Sequence, residues 1–176
     1  MVQWFNQNVI ESFKRIVTSI LEVYMKQKTR ILFICHGNIC RSPMAEFIMK
    51  DLVRRAGLEE RYEIASAATS AEELGNPVYP PARRELAAHG ISCKGKTARQ
   101  ITRRDYADYD HLIAMEQYNL RNIRRIIPED PEGKITLLMA HAGSGEDIED
   151  PWYTGNFSKV YQQIERGCQA LLEETK

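Results

Sequence analysis

Cys35-His36-Gly37-Asn38-Ile39-Cys40-Arg41-Ser42 is the stretch whose reading sets both fold and chemistry. The apolar run Arg30-Ile31-Leu32-Phe33-Ile34 precedes it and reads as a buried strand. Pro43-Met44-Ala45-Glu46-Phe47-Ile48-Met49-Lys50-Asp51-Leu52-Val53 follows and reads as a helix, with Pro43 at its first position and Gly57 closing it. A loop wound between a strand end and a helix start aims several backbone N–H groups at one point. The helix dipole favours negative charge there as well. The result is a phosphate-sized anion site. Cys35 at its start is expected to react as the thiolate beneath the bound anion. Arg41 at its end can grip two phosphate oxygens with its planar fork, which a lysine does less well. Gly37 and Asn38 suit the positive φ angles of a tight anion-binding turn.

Strands and helices alternate beyond this point. Tyr62–Ser66, Asp110–Met115 and Lys134–Leu138 read as three further strands. Ala82–His89 reads as a helix closed by Gly90, a second helix runs from about Glu116 to Ile127 before Pro128, and a third from about Phe157 to Glu173. The last carries Val160, Ile164, Cys168, Leu171 and Leu172 on one face. This order predicts an α/β domain over residues 25–176, a four-stranded parallel sheet with helices on both faces and ligands at the carboxyl ends of the strands. The phosphate loop lies at such an end.

Residues 1–24 stand apart. Trp4, Phe5, Val9, Phe13, Ile16, Val17, Ile20 and Tyr24 recur at helical spacing, while Glu11, Lys14 and Arg15 break the run. The segment is expected to be an amphipathic helical extension covering apolar surface, on this domain or on a second copy, with membrane-surface binding ranked last. It is too polar for a membrane span. Met25 is an alternative start just ahead of the first strand.

The chain's 176 residues suit one domain with a sizeable core. Its 24 basic residues balance 24 acidic ones, so nothing global points to nucleic acid, and Arg121, Arg124 and Arg125 read as a solvated helix face. Four cysteines (Cys35, Cys40, Cys93, Cys168) in a chain of this length, with no secretory signal evident, suggest a reducing, cytoplasmic setting. Zinc has some purchase, since four residues separate Cys35 from Cys40 and three separate His89 from Cys93. Zinc does not call for an arginine and a Ser-Pro beside the second cysteine, whereas anion binding does. Cys93 and Cys168 read as structural.

Cys-x-Gly-Asn-Ile-Cys-Arg-Ser-Pro near the start of the domain, Ser66-Ala67-Ala68-Thr69-Ser70, Thr97-Ala98-Arg99-Gln100-Ile101 and the late Asp150-Pro151-Trp152-Tyr153 together resemble the low-molecular-weight protein tyrosine phosphatases. The resemblance runs from about Thr29 to the C-terminus. It implies hydrolysis of phosphotyrosine in proteins through a phosphocysteine, with neither metal nor cofactor, by a monomer or weak homodimer. Cys35 would attack phosphorus in line, and Arg41 with the amides of residues 36–42 would hold the equatorial oxygens. Asp150 would protonate the leaving oxygen and later activate water. Glu149 and Asp147 stay open as alternatives, although Pro151 fixes the backbone beside Asp150. Ser42 would donate to the thiolate or cap the helix. The resemblance implies that His89 supports the loop near Asn38 and that Cys40 forms a protective disulfide with Cys35. Two positions depart from the pattern. His36 follows the nucleophile where an apolar residue is common, and Glu72 takes a cleft-wall place often held by an aromatic, leaving Trp152 and Tyr153 as aromatic walls. Three competitors are weaker. A protein arginine phosphatase of the same fold goes with a small residue where this chain has the branched Ile39. An arsenate reductase needs a further close cysteine pair, and a non-catalytic phosphopeptide module would lack Cys35, Arg41 or Asp150.

Overall fold

A computed structural model describes residues 9–18 and 28–176. Its elements are helix α1 (residues 9–18), β1 (Thr29–Cys35), α2 (Arg41–Arg55), a short 3-10 turn (Glu59–Arg61), β2 (Tyr62–Ala68), α3 (Pro80–Ala88), α4 (Arg104–Asp108), β3 (His111–Ala114), α5 (Gln117–Ile126), β4 (Ile135–Leu137), α6 (Leu138–His141), α7 (Pro151–Thr154) and α8 (Phe157–Thr175). The four strands form one parallel sheet in the order β2-β1-β3-β4, as the alternation predicts.

β1 lies inside the sheet, with Ile31 opposite Ile64 on one side and His111 on the other. Its side chains alternate between two apolar layers, which explains the unbroken apolar run. Ile31, Phe33 and Cys35 face the layer of Met44, Ile48 and Ile164 from α2 and α8. Leu32 and Ile34 face Leu112, Ile123 and Ile127 on the opposite side. The period of two therefore puts Cys35, the last residue of β1, on the side where α2 begins. α8 buries Val160, Ile164, Cys168, Leu171 and Leu172, the face expected of it. Its Gly167 lies so close to α6 that an added Cβ would come within 2.6 Å of Leu138 Cγ, so a larger residue there would push α6 away.

Several boundaries differ from the sequence reading. α2 starts at Arg41, with Cys40 as N-cap and Met44 N–H donating to the Cys40 carbonyl at 3.1 Å. Pro43 is thus the third helical residue, a place that still has no intrahelical use for an N–H. Ser42 lies inside the helix and is not its cap. β4 pairs over three residues only, because the chain turns into α6 at Leu138. α4, α6 and α7, four or five residues each, are too short for a helical period to show in sequence.

α1 confirms the helical reading over residues 9–18. Its apolar stripe does not pack on the domain: Val9, Ile10, Phe13, Ile16 and Val17 are exposed, Phe13 by 67%. Trp4, Phe5, Ile20 and Tyr24 lie outside the described residues. Among the described residues no helix is long and apolar enough to cross a membrane.

Candidate active site

Residues 36–40 loop from the end of β1 to the start of α2 and form the floor of a cleft of about 190 Å³. The cleft is lined by Cys35, His36, Gly37, Ile39, Cys40, Arg41, Glu72, Glu73, Asp150, Trp152 and Tyr153. Every residue proposed from sequence for the nucleophile, the arginine, the acid and the walls meets here.

The Cys35 sulfur is met by two groups, the Asn38 backbone N–H at 3.3 Å and the Ser42 hydroxyl at 3.0 Å. Asn38 Nδ2 donates to Ser42 Oγ at 2.9 Å and to Ser66 Oγ at 2.8 Å, while its Oδ1 accepts from the Arg99 N–H at 3.1 Å. Because Ser42 Oγ accepts from Asn38, its single proton is free to point at sulfur, or at the Ala67 carbonyl at a longer 3.4 Å. The only non-glycine residue with positive φ among those described is Asn38, at 58°. Gly37 is not in that region, so the positive φ expected of it in the tight turn is absent and Asn38 alone of the two adopts it. What Gly37 provides is room: a Cβ there would meet Glu73 Cγ at 3.3 Å.

A buried polar chain that sequence reasoning missed lies behind the loop. Ser66 Oγ, accepting from Asn38, donates to Glu46 Oε2 at 2.6 Å, and the same carboxylate accepts a salt bridge from Lys96 at 3.1 Å. Glu46 is almost fully buried, and burial pulls the Lys96 ammonium below the ordinary lysine range while Glu46 opposes the shift. In sequence Glu46 and Lys50 look like an ordinary exposed i,i+4 pair, which hides the role of the acid. Arg99, whose backbone holds Asn38, is itself clamped to Asp105 by two bonds of 2.8 and 3.1 Å.

Arg41 is fully buried. Its Nη1 donates to the Ile148 carbonyl at 3.0 Å, and its Nη2 reaches Asp150 at 2.6 Å and Glu116 at 2.9 Å. Burial works against its charge, but Cys35, Asp150 and Glu116 outweigh it and hold the guanidinium above the ordinary arginine range. Glu116, just ahead of α5, was read from sequence only as a helix start, because nothing local links it to residue 41. Asp150 also caps α7, accepting from the Trp152 N–H at 3.1 Å, with Pro151 at the first helical position. The alternative acids are engaged elsewhere: Glu149 binds Lys159 at 2.8 Å, and Asp147 accepts from the Gln117 N–H at 2.9 Å.

Cys40 is a buried N-cap whose thiol is pushed well above the ordinary range, first by burial and then by Cys35. Cys93 and Cys168 are also buried, and all four cysteines are free. His89 does not support the loop. At the end of α3 it stacks on Tyr161 with ring centroids 3.7 Å apart and lies 3.4 Å from Glu85, while Ser42, Ser66 and Arg99 supply all the partners of the Asn38 side chain. At the rim His36 Nε2 meets Glu72 at 2.9 Å, and Trp152 packs on Tyr79 with centroids 4.8 Å apart.

A cysteine cupped by a strand-to-helix loop, a buried arginine and a carboxylate on a late loop make an arrangement suited to phosphoryl transfer. The family model for low molecular weight phosphotyrosine protein phosphatases matches residues 30–176. The low molecular weight protein-tyrosine-phosphatase YfkJ of Bacillus subtilis is 40% identical over 144 residues, covering 81% of this chain and 92% of its own. The rat low molecular weight phosphotyrosine protein phosphatase is 41% identical over 150 residues, covering 82% and 94%. The crystal structure of YfkJ superimposes with a TM-score of 0.81 at 38% identity over 84% of this chain and 94% of that one. A Drosophila arginine phosphatase superimposes with a TM-score of 0.75 at 32% identity, covering 83% and 97%. Loop geometry, sheet order and sequence identity over nearly the whole of each relative agree: the chain belongs to the low-molecular-weight phosphotyrosine protein phosphatase family.

Proposed function

We propose that the enzyme hydrolyses phosphotyrosine in proteins with Cys35 as nucleophile, Arg41 as phosphate clamp and Asp150 as general acid and base. The observation that carries this reading is Arg41, which is buried with one nitrogen on Asp150 at 2.6 Å and lines the same cleft as Cys35. An arriving phosphate dianion offers the guanidinium a better, bidentate partner than the Asp150 carboxylate. Drawing Nη2 toward phosphate loosens Asp150, which Trp152 N–H and Pro151 keep at the mouth, ready to carry a proton to the leaving oxygen. Glu116 stays behind Arg41 and holds its orientation.

In the first step a Cys35 lone pair forms the S–P bond as the P–O bond to tyrosine breaks, and Asp150 gives its proton to the departing oxygen. The Ser42 hydroxyl, fixed by Asn38, steadies negative charge on sulfur before this step and again when sulfur leaves. In the second step Asp150 takes a proton from water as its oxygen attacks phosphorus, and the S–P bond breaks to free inorganic phosphate. The loop amides and Arg41 hold the equatorial oxygens throughout, where preorganised donors contribute most. Cys40, the only other cysteine of the loop, is assigned the role of capturing an oxidised Cys35 as a disulfide with release of water.

Ile39 lines the cleft beside Cys35, and its branched side chain favours a flat aryl group over a guanidinium head. The test is kcat/KM on matched phosphotyrosine, phosphoserine and phosphoarginine peptides. Phosphotyrosine is expected to lead, and a lead by phosphoarginine would replace this reading with the arginine phosphatase one. A cytoplasmic location, read from the cysteine usage, is tested by fractionation, and the choice between monomer and weak homodimer by sedimentation.

A further inference from the structure

We propose that the acidic wall of the cleft, Glu72 beside Glu73, selects phosphotyrosine substrates carrying a lysine or arginine next to the phosphotyrosine. The proposal rests on the tyrosine phosphatase reading of the same site. Both carboxylates line the cleft, and among the described residues neither pairs with a lysine or arginine. The Glu72 carboxylate meets His36 Nε2 at 2.9 Å and is also approached by the Ser70 hydroxyl. A carboxylate only accepts, so His36 Nε2 carries the proton of this bond and donates it to Glu72, which fixes the carboxylate in place. Glu73 is held in place too, with Asn76 Nδ2 donating to it at 2.6 Å and its Cγ packed where Gly37 has no side chain.

The other charges of the cleft are already matched. Arg41 faces Asp150 and Glu116, and the phosphate brings its own charge to that cation. Outside the cleft, on the far side of His36, the Tyr118 ring lies 6.4 Å from the His36 ring, and Arg121 stands 5.6 Å from the Tyr118 ring. A bound peptide thus meets the Glu72 and Glu73 carboxylates along one wall of the cleft. A basic neighbour gains on the Glu72 flank and an acidic one loses there. For two exposed charges a few ångströms apart, the swap from glutamate to arginine is worth about fivefold at low salt.

The test measures kcat/KM on phosphotyrosine peptides bearing arginine or glutamate immediately before or immediately after the phosphotyrosine, at low and high salt. The expected result is an arginine-over-glutamate ratio of about fivefold on one flank, falling toward one as salt screens it. The double substitution Glu72→Gln with Glu73→Gln should bring that ratio near one, and Glu72→Arg with Glu73→Gln should invert it. The ratio is internal to each protein, so a variant of reduced overall activity still reports, and the salt arm needs no variant. Ratios of one on both flanks in the parent, or a ratio that persists at high salt or in the double variant, overturn the proposal. Turnover of every peptide without discrimination sinks the acidic wall alone. Turnover of phosphoarginine but of no phosphotyrosine peptide sinks the tyrosine reading and this proposal with it.

Discussion

Asn38, Arg41 and Ser42 on the floor of the cleft are almost wholly buried and hydrogen-bonded through their side chains, whereas at the rim Trp152 is about half exposed and Tyr153 is 84% exposed. The floor lies in low dielectric, where each polar group needs its partner and each misplacement costs rate. The rim lies in water, where contacts are exchangeable and a substitution changes which substrate is held more than how it reacts. The chemistry is therefore expected to be sensitive to the floor and substrate choice to the rim.

The largest effects test the floor. Cys35→Ser should remove turnover by roughly a thousandfold or more while inorganic phosphate still binds, because a hydroxyl stays protonated where a thiol ionises. Substantial turnover by the folded variant would take the nucleophile's role from Cys35. Arg41→Lys should lose roughly a hundredfold in kcat, one point charge replacing a fork that spans two oxygens. Retained kcat with a raised KM would make Arg41 a binding group only.

Asp150 joins floor to rim, and its substitution should show both characters. Asp150→Asn is expected to slow aryl phosphates with basic leaving groups by about a hundredfold and those with acidic leaving groups far less, since only the former need a proton in the transition state. A flat response across a leaving-group series would remove it from the acid role.

Ser66→Ala probes the floor's hidden support. It leaves Asn38 Nδ2 and Glu46 each short of a partner in a buried place, at a cost of about 1–3 kcal/mol in unfolding free energy. An unchanged denaturation midpoint would mean that the chain from Glu46 to Asn38 contributes no stability of its own. At the rim, Trp152→Ala should raise KM for peptides by a few fold, an aromatic contact being worth about 1 kcal/mol, with kcat held. A fall in kcat larger than the rise in KM would show that the rim shapes the chemistry after all. The smallest effect is expected from deleting residues 1–24: turnover of a small aryl phosphate should stay at the parent value, because the apolar side chains of α1 touch no part of the cleft. Lost turnover in a folded deletion of unchanged oligomeric state would join α1 to the site.

The local pattern of the chain was enough to place Cys35, Arg41 and the loop between them. A buried strand, a glycine-bearing turn and an amphipathic helix follow from the spacing of apolar residues, and an anion site follows from joining them. The four parallel strands follow from the same alternation. What only the tertiary structure decided are the partners brought from far along the chain: Glu116 and Asp150 onto Arg41, Arg99 and Ser66 onto Asn38, Lys96 onto Glu46. It also moved His89 away to Tyr161 and made Gly37 a gap in place of a positive-φ turn. The physical reason is reach. Periodicity and capping act within a few residues, while a buried polar side chain takes its partner from whatever strand or loop the sheet order sets beside it, and no spacing along the chain records that choice.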